Sequence, residues 1–368
     1  MPKPAGETPT LPERGGTPPV YDTFTTLIHA RSYSGRSKGR SFSFAIRSDN
    51  ALASNGPQKP PIDMITLRLL LALLLFLTPF VWAKDAPATG APAFNPTAQI
   101  TKGQRIFASH HSYFIAIPAI LKELAVSAGI EGQEIVGSHY IGGSKSIQHW
   151  NIKDEDNEAK KALIASKVDV LILTPVYLPD EGIEKFARLG LETNPDIRVT
   201  VQEFWLPYDA YEPHYYDPPK IPHPDKVDHN AMTGAQLREI HERYFHEMDE
   251  LIAGLNKQLG KQVIFAVPAG QAVIALREKI IAGQAPGLKS QEDIFTDSLG
   301  HPKAALQALI AYAHFAVIYR KSPVGLPIPH ALSQTKLPTE EMDGLNRLLQ
   351  QLAWDAVIHH PLSGVVTQ

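Results

Sequence analysis

The segment RIFASHHSYFIAIPAILKEL, residues 105–124, places His110, His111 and Ser112 between a short apolar run and an amphipathic helical pattern. A serine hydroxyl there has two chemical readings. It can cap the helix by accepting from an orphan backbone N–H. It can also act as a nucleophile, which requires a base and an oxyanion site. A base is available in FTDSLGHPKAALQALIAYAHF, where Asp297 and His301 stand just before another apolar helical pattern. His301 would accept the hydroxyl proton and Asp297 would orient the imidazole. Pro302 favours an immediate helix start, which would hold the ring at the edge of the fold. In YIGGSKSIQHW, Gly143 can offer a backbone N–H to a developing oxyanion beside that of Ser112, or it can be a plain turn glycine.

These residues need elements that bring position 112 to position 301. Apolar runs at 105–108, 134–140, 168–176, 197–206 and 262–267 are short, largely continuous and rich in Val and Ile, as buried strands are. Helical patterns lie between them. Ile117, Ile120, Leu121, Leu124 and Ala125 share one face, as do Ile183, Phe186, Ala187 and Leu191. The stretch 234–260 repeats apolar residues at three and four and opens on Thr233-Gly-Ala-Gln236, a capping-box pattern. This alternation predicts a mainly parallel five-stranded sheet with helices on both faces, a three-layer α/β/α domain over 104–321. Ligands bind beyond the carboxyl ends of the strands in such sheets. The polar residues fall there: Ser112 after the first strand, Gly143 and His149 after the second, and Thr174 after the third.

The whole chain sets the class. With 43% hydrophobic and 20% charged residues, 368 residues suffice for a folded domain. A net charge of -3 and a pI near 6.6 argue against a nucleic-acid partner. The absence of cysteine excludes disulfides, thiol catalysis and cysteine metal sites. No glycine motif matches a phosphate cradle or dinucleotide fingerprint, so no cofactor is expected. Residues 64–83, in MITLRLLLALLLFLTPFVWAKD, have the layout of a signal peptide cut after Ala83, which predicts a periplasmic or secreted protein. The apolar run is shorter than the roughly 20 residues of a spanning helix, so no stable membrane span is expected after cleavage. Residues 1–63, rich in Pro, Gly, Ser and Arg, read as a disordered or untranslated extension, with Met64 as the true start. Residues 84–103 read as a Pro/Ala linker, and 322–368 as a Pro-rich strap followed by a helix docked on the main domain.

Between Pro207 and Asn230 the chain is long, Pro-rich and loaded with Tyr and His. Such segments serve as lids or binding surfaces. Tyr208 and Tyr211 can stack on a sugar face or pin the loop to the core, and His111 and His149 are further candidates for contact with substrate. His214, His223 and His229 lack the i, i+4 pairing of a zinc-protease helix, and no His-Glu-x-x-His occurs. They read as solvated loop histidines, His359-His360 reads as surface, and no metal is assigned to the site.

An early strand-end serine, a glycine after the second strand, and a late Asp and His before the last helix together resemble the SGNH/GDSL hydrolase superfamily. The resemblance covers roughly residues 104–327, through HHSYFIAIPAILKEL, IGGSKSIQHW and DSLGHPKAALQALIAYAHFAVIYRKSPVGLP. It implies a flavodoxin-like fold, Ser112 as nucleophile, Gly143 as oxyanion donor and His301 as base. Three features depart from the family pattern. His110-His111 replace the residues that normally precede the serine, Asp297 and His301 are four apart rather than three, and Thr174 stands where an asparagine is expected. Losing an oxyanion donor costs about 10²- to 10³-fold in rate. The resulting expectation is an exported serine esterase cleaving a small-molecule or acyl-carbohydrate ester. The alternatives are a catalytically impaired periplasmic binding protein on the same sheet, and a metal enzyme using His110, His111 and His301.

Overall fold

The apolar runs form the strands of one parallel sheet, all but one edge strand being covered on both faces. The structure, a computed structural model, describes residues 98–210 and 227–366. The upstream extension, the signal segment, and Tyr211 with most of its Tyr/His-rich segment lie outside the described residues. The strands are β1 (Arg105–His110), β2 (Glu134–Tyr140), β3 (Val170–Leu173), β4 (Arg198–Gln202) and β5 (Ile264–Val267). Their order is β2-β1-β3-β4-β5, and every pairing is parallel. That is the flavodoxin-like order, with the chain reversing direction across the sheet between β1 and β3. β3, β4 and β5 are buried throughout, whereas edge strand β2 is half-exposed.

Two groups of helices flank the sheet. α1 (Ile117–Ser127), α6 (Ala269–Ile281), α7 (Ala304–Tyr319) and α9 (Thr339–His359) pack on one another. α2 (Ser146–Trp150), α3 (Glu158–Ile164) and α4 (Glu181–Thr193) form the other group. Right-handed crossovers put the two groups on opposite faces. α5 (Gly234–Leu259) begins at the Thr233–Gln236 capping box and stops at Gly260 in the left-handed conformation, as its sequence requires. α8 (His330–Ser333) is a single turn in the Pro-rich segment before α9. α9 lies against α7, where the Tyr312 hydroxyl donates to Asn346 Oδ1 at 2.5 Å. Among the described residues no helix is long and apolar enough to cross a membrane.

Two strands are shorter than their apolar runs. β3 ends at Leu173 and β4 at Gln202, yet Val176, Phe204, Trp205 and Leu206 remain buried. The loops at the carboxyl ends are themselves folded into the core. Hydrophobicity therefore continues where the ladder stops.

Candidate active site

β1 delivers the serine through a tight turn. His111 is extended (φ -115°, ψ -170°) and caps a 3-10 turn over Ser112–Phe114, its Nδ1 accepting from the Tyr113 N–H at 3.3 Å. The capping acceptor is thus His111, not Ser112. The Ser112 hydroxyl faces His301 instead, with 2.7 Å between Oγ and Nε2.

The 295–302 loop carries the partner residues. Phe295 and Pro302 bridge its base, and the Thr296 N–H donates to the His301 carbonyl at 2.8 Å. Inside the loop, Asp297 Oδ1 accepts from the N–H groups of Gly300 and His301, both at 3.1 Å. Its Oδ2 lies 2.7 Å from His301 Nδ1. The loop closes because Gly300 adopts φ +98°, a conformation open to glycine at no steric cost. A four-residue spacing therefore still brings the carboxylate to the ring. Partial burial pushes the Asp297 carboxyl up, but the hydrogen bonds from the His301 ring and the two backbone amides outweigh it and hold the group below the usual carboxylate range. An ionised Asp297 keeps the proton on Nδ1 and leaves the Nε2 lone pair toward Ser112.

Aromatic side chains brace this pair. Tyr113 stacks on Phe204 and Trp205 with ring centroids 4.8 and 4.7 Å away, and meets the edge of His301 at 4.9 Å. Trp205 Nε1 donates to the Gly300 carbonyl at 3.0 Å, and the Tyr113 hydroxyl donates to Leu299. Behind the loop, Arg277 grips Asp209 with two donors at 2.5 and 2.8 Å, and His229 Nδ1 lies 2.8 Å from the same carboxylate. His229 Nε2 comes within 3.4 Å of the Asp297 carbonyl. Burial raises the Asp209 carboxyl, but the hydrogen bonds from Arg277 and His229 bring it down to about 2.

The histidines before the serine are interior. His110 sits between the His111 carbonyl (3.0 Å) and the Ser138 hydroxyl (2.8 Å). His111 and His149 are each 1% exposed. Burial, with repulsion from neighbouring imidazoles, lowers His111 to about 3 and His149 to about 4, so both are neutral. His149 Nε2 is 2.8 Å from the Ser144 hydroxyl. Thr174 is buried beside the Ser112 turn, its Oγ1 accepting from the His111 N–H at 3.3 Å. Gly143 is exposed, with φ +56°. Tyr208 is partly buried, and its N–H donates to the Leu299 carbonyl at 3.3 Å.

No protein-family model and no curated protein matches the chain. Among solved structures, a crystal structure from Parabacteroides merdae described as a "putative GDSL-like lipase" aligns with a TM-score of 0.37 and 13% identity. The alignment covers 60% of this chain and 97% of that one. The fold rests on the strand order, and the chemistry of the site on its own distances.

The structure brings Ser112, His301 and Asp297 into hydrogen-bonded sequence and sets Thr174 one residue from the serine. It corrects two readings. His229 is a buried partner of Asp209, not a solvated loop histidine, and His360, 4% exposed, is not on the surface. Each carries a carboxylate partner that removes the cost of burial. The ring nitrogens of His110, His111 and His301 do not converge. Among the described residues, the group whose ligand atoms come together is Glu203, Asp249 and His360. Sequence reasoning also missed Tyr113, Trp205 and Arg277, although the aromatic run in EFWLPYD was a signal for the first brace.

Proposed function

We propose that the protein is a serine ester hydrolase of the SGNH type. The observation that carries this reading is the chain of two 2.7 Å contacts, Ser112 Oγ to His301 Nε2 and His301 Nδ1 to Asp297 Oδ2. Ser112 Oγ bonds to the acyl carbon while its proton passes to Nε2. The protonated ring then returns that proton to the leaving alkoxide as the ester C–O bond breaks. Water, deprotonated by His301, attacks the acyl-serine, releasing the acid and restoring the hydroxyl. The oxyanion is held by the backbone N–H groups of Ser112 and Gly143, with the Thr174 hydroxyl in the asparagine's role. The substrate is a small ester, an acyl group on a carbohydrate being the favoured form, with Tyr208 against the sugar. The chain acts after export, its signal at 64–83 removed.

The test is hydrolysis of a short-chain aryl acetate by the protein beside Ser112→Ala and His301→Ala. Turnover that falls to background in both variants supports the assignment. Three equally inert proteins would sink it for such esters, and ligand binding without turnover would favour a binding protein built on the same sheet.

A further inference from the structure

A second cluster of chemistry-bearing side chains lies at the exit of β4, apart from the serine. Glu203, the first residue past the strand, is fully buried. Its Oε1 accepts from Gln271 Nε2 on α6 at 3.0 Å and lies 3.0 Å from His360 Nε2, just beyond α9. Its Oε2 is buried with no hydrogen-bond partner. Asp249 on α5 brings Oδ1 to 3.2 Å from the same imidazole nitrogen, a charge contact that leaves this oxygen too without a hydrogen bond. An orphaned buried acceptor is costly, and more so when charged. Asp249 Oδ1 faces the His360 ring, whereas Glu203 Oε2 has no donor among the described residues, so the cluster keeps a place for a positive centre.

We propose that Glu203, Asp249 and His360 form a binding site for one divalent transition cation, of the Zn²⁺ or Mn²⁺ class. One ligand atom from each residue lies within 4.8 Å of the others, so small side-chain shifts surround an ion with bonds of about 2.0–2.2 Å. A single imidazole with two carboxylates suits zinc or manganese better than magnesium, which keeps an oxygen shell. The route in is a cleft of about 910 Å³ whose wall includes Asp249 and Gln271. Burial lowers the His360 ring, but its contacts with the Asp249 and Glu203 carboxylates push it up to about 9, so without a cation the ring is protonated. A cation at Nε2 displaces the proton held there and leaves a neutral ring, with the Leu362 N–H 3.2 Å from Nδ1. The ion would join the β4 exit, α5 and the C-terminal segment, which makes its role structural.

The experiment uses the untagged full chain, stripped with EDTA and titrated calorimetrically with ZnCl₂, MnCl₂ and MgCl₂, with thermal melting in parallel. One Zn²⁺ per chain is expected, bound more tightly than Mn²⁺ and far more tightly than Mg²⁺, with a higher Tm in the loaded form. Glu203→Gln and Asp249→Asn should each weaken binding by more than about tenfold, as losing a ligand or its support does. His246→Ala should leave it unchanged, because the exposed His246–Glu250 pair on the same helix is the obvious adventitious site. Absence of stoichiometric uptake overturns the proposal, as does binding that survives both carboxamide variants or disappears with His246→Ala. Should Glu203→Gln fail to fold, Asp249→Asn, whose side chain is 34% exposed, decides.

Discussion

Trp205 and Gly300 are joined by a 3.0 Å hydrogen bond from the indole nitrogen to the carbonyl. The bond runs from the exit of β4 to the residue immediately before His301, so one indole fixes the height of the imidazole above the sheet. Trp205→Phe retains a ring to stack on Tyr113 but strands the Gly300 carbonyl. The expected loss is about 1–3 kcal/mol of stability, the cost of an unpaired buried acceptor. Urea denaturation measures it. On an aryl ester, kcat should fall with KM little changed; an unaltered kcat would mean that the Phe295–Pro302 bridge holds the ring unaided.

Gly300→Ala acts on the same loop from inside. At φ +98° a side chain is strained, and an added Cβ would lie 3.3 Å from the Tyr113 hydroxyl oxygen. A cost of about 1–3 kcal/mol is expected, read as a lower melting temperature. Activity should fall further than stability predicts, since His301 is the next residue. Equal losses would argue against a positioning effect.

Thr174→Val tests the proposed role of the Thr174 hydroxyl as an oxyanion donor. If the hydroxyl stabilises the intermediate, kcat drops about 10²- to 10³-fold and Thr174→Ser recovers most of it. A drop below tenfold would leave the oxyanion to backbone amides.

The Arg277–Asp209–His229 network predicts the acid limb of stability. The Asp209 carboxyl titrates at about 2 in the folded chain, against about 3.9 when unfolded. A depressed folded value gives a contribution that is complete above the unfolded pKa. It fades as pH falls from about 4 through about 2, and amounts to about 2–3 kcal/mol. Asp209→Asn should flatten that part of the stability–pH curve, measured by urea midpoints. At neutral pH it should destabilise by about 3–5 kcal/mol, because Arg277 loses its counter-charge while 1% exposed. A curve as steep as the wild type's between pH 4 and 2 would assign the acid limb to other carboxylates.

Legibility in the sequence followed the range of the interactions. Local signals were readable: the capping box set the start of α5, and the bounds of β2 and α9 coincide with their apolar patterns. Ser112 and His301 stood out because each occupies a strand exit or helix entrance, the edge where parallel sheets bind ligands. The buried histidines were not readable. His229 pairs with a carboxylate 20 residues away and His360 with one 157 away, and nothing in either neighbourhood announces the partner. The overlong β4 run has the same origin. Phe204 and Trp205 are apolar for their contact with Tyr113, a residue no periodicity connects to them.

Every residue of α7 from Ala305 to Tyr319 except Gln307 is buried, so this helix has no side that can slip against water. Its amides should be among the last to exchange, opening only with the whole fold. His301, three residues ahead of it, is therefore anchored to a helix with almost no solvent-facing side. The serine hangs from a single 3-10 turn whose next residue, Ile115, is 60% exposed. On the proposed esterase reading, the room to adjust the gap for a bulky acyl group opens just past the serine, at Ile115, while the imidazole stays fixed.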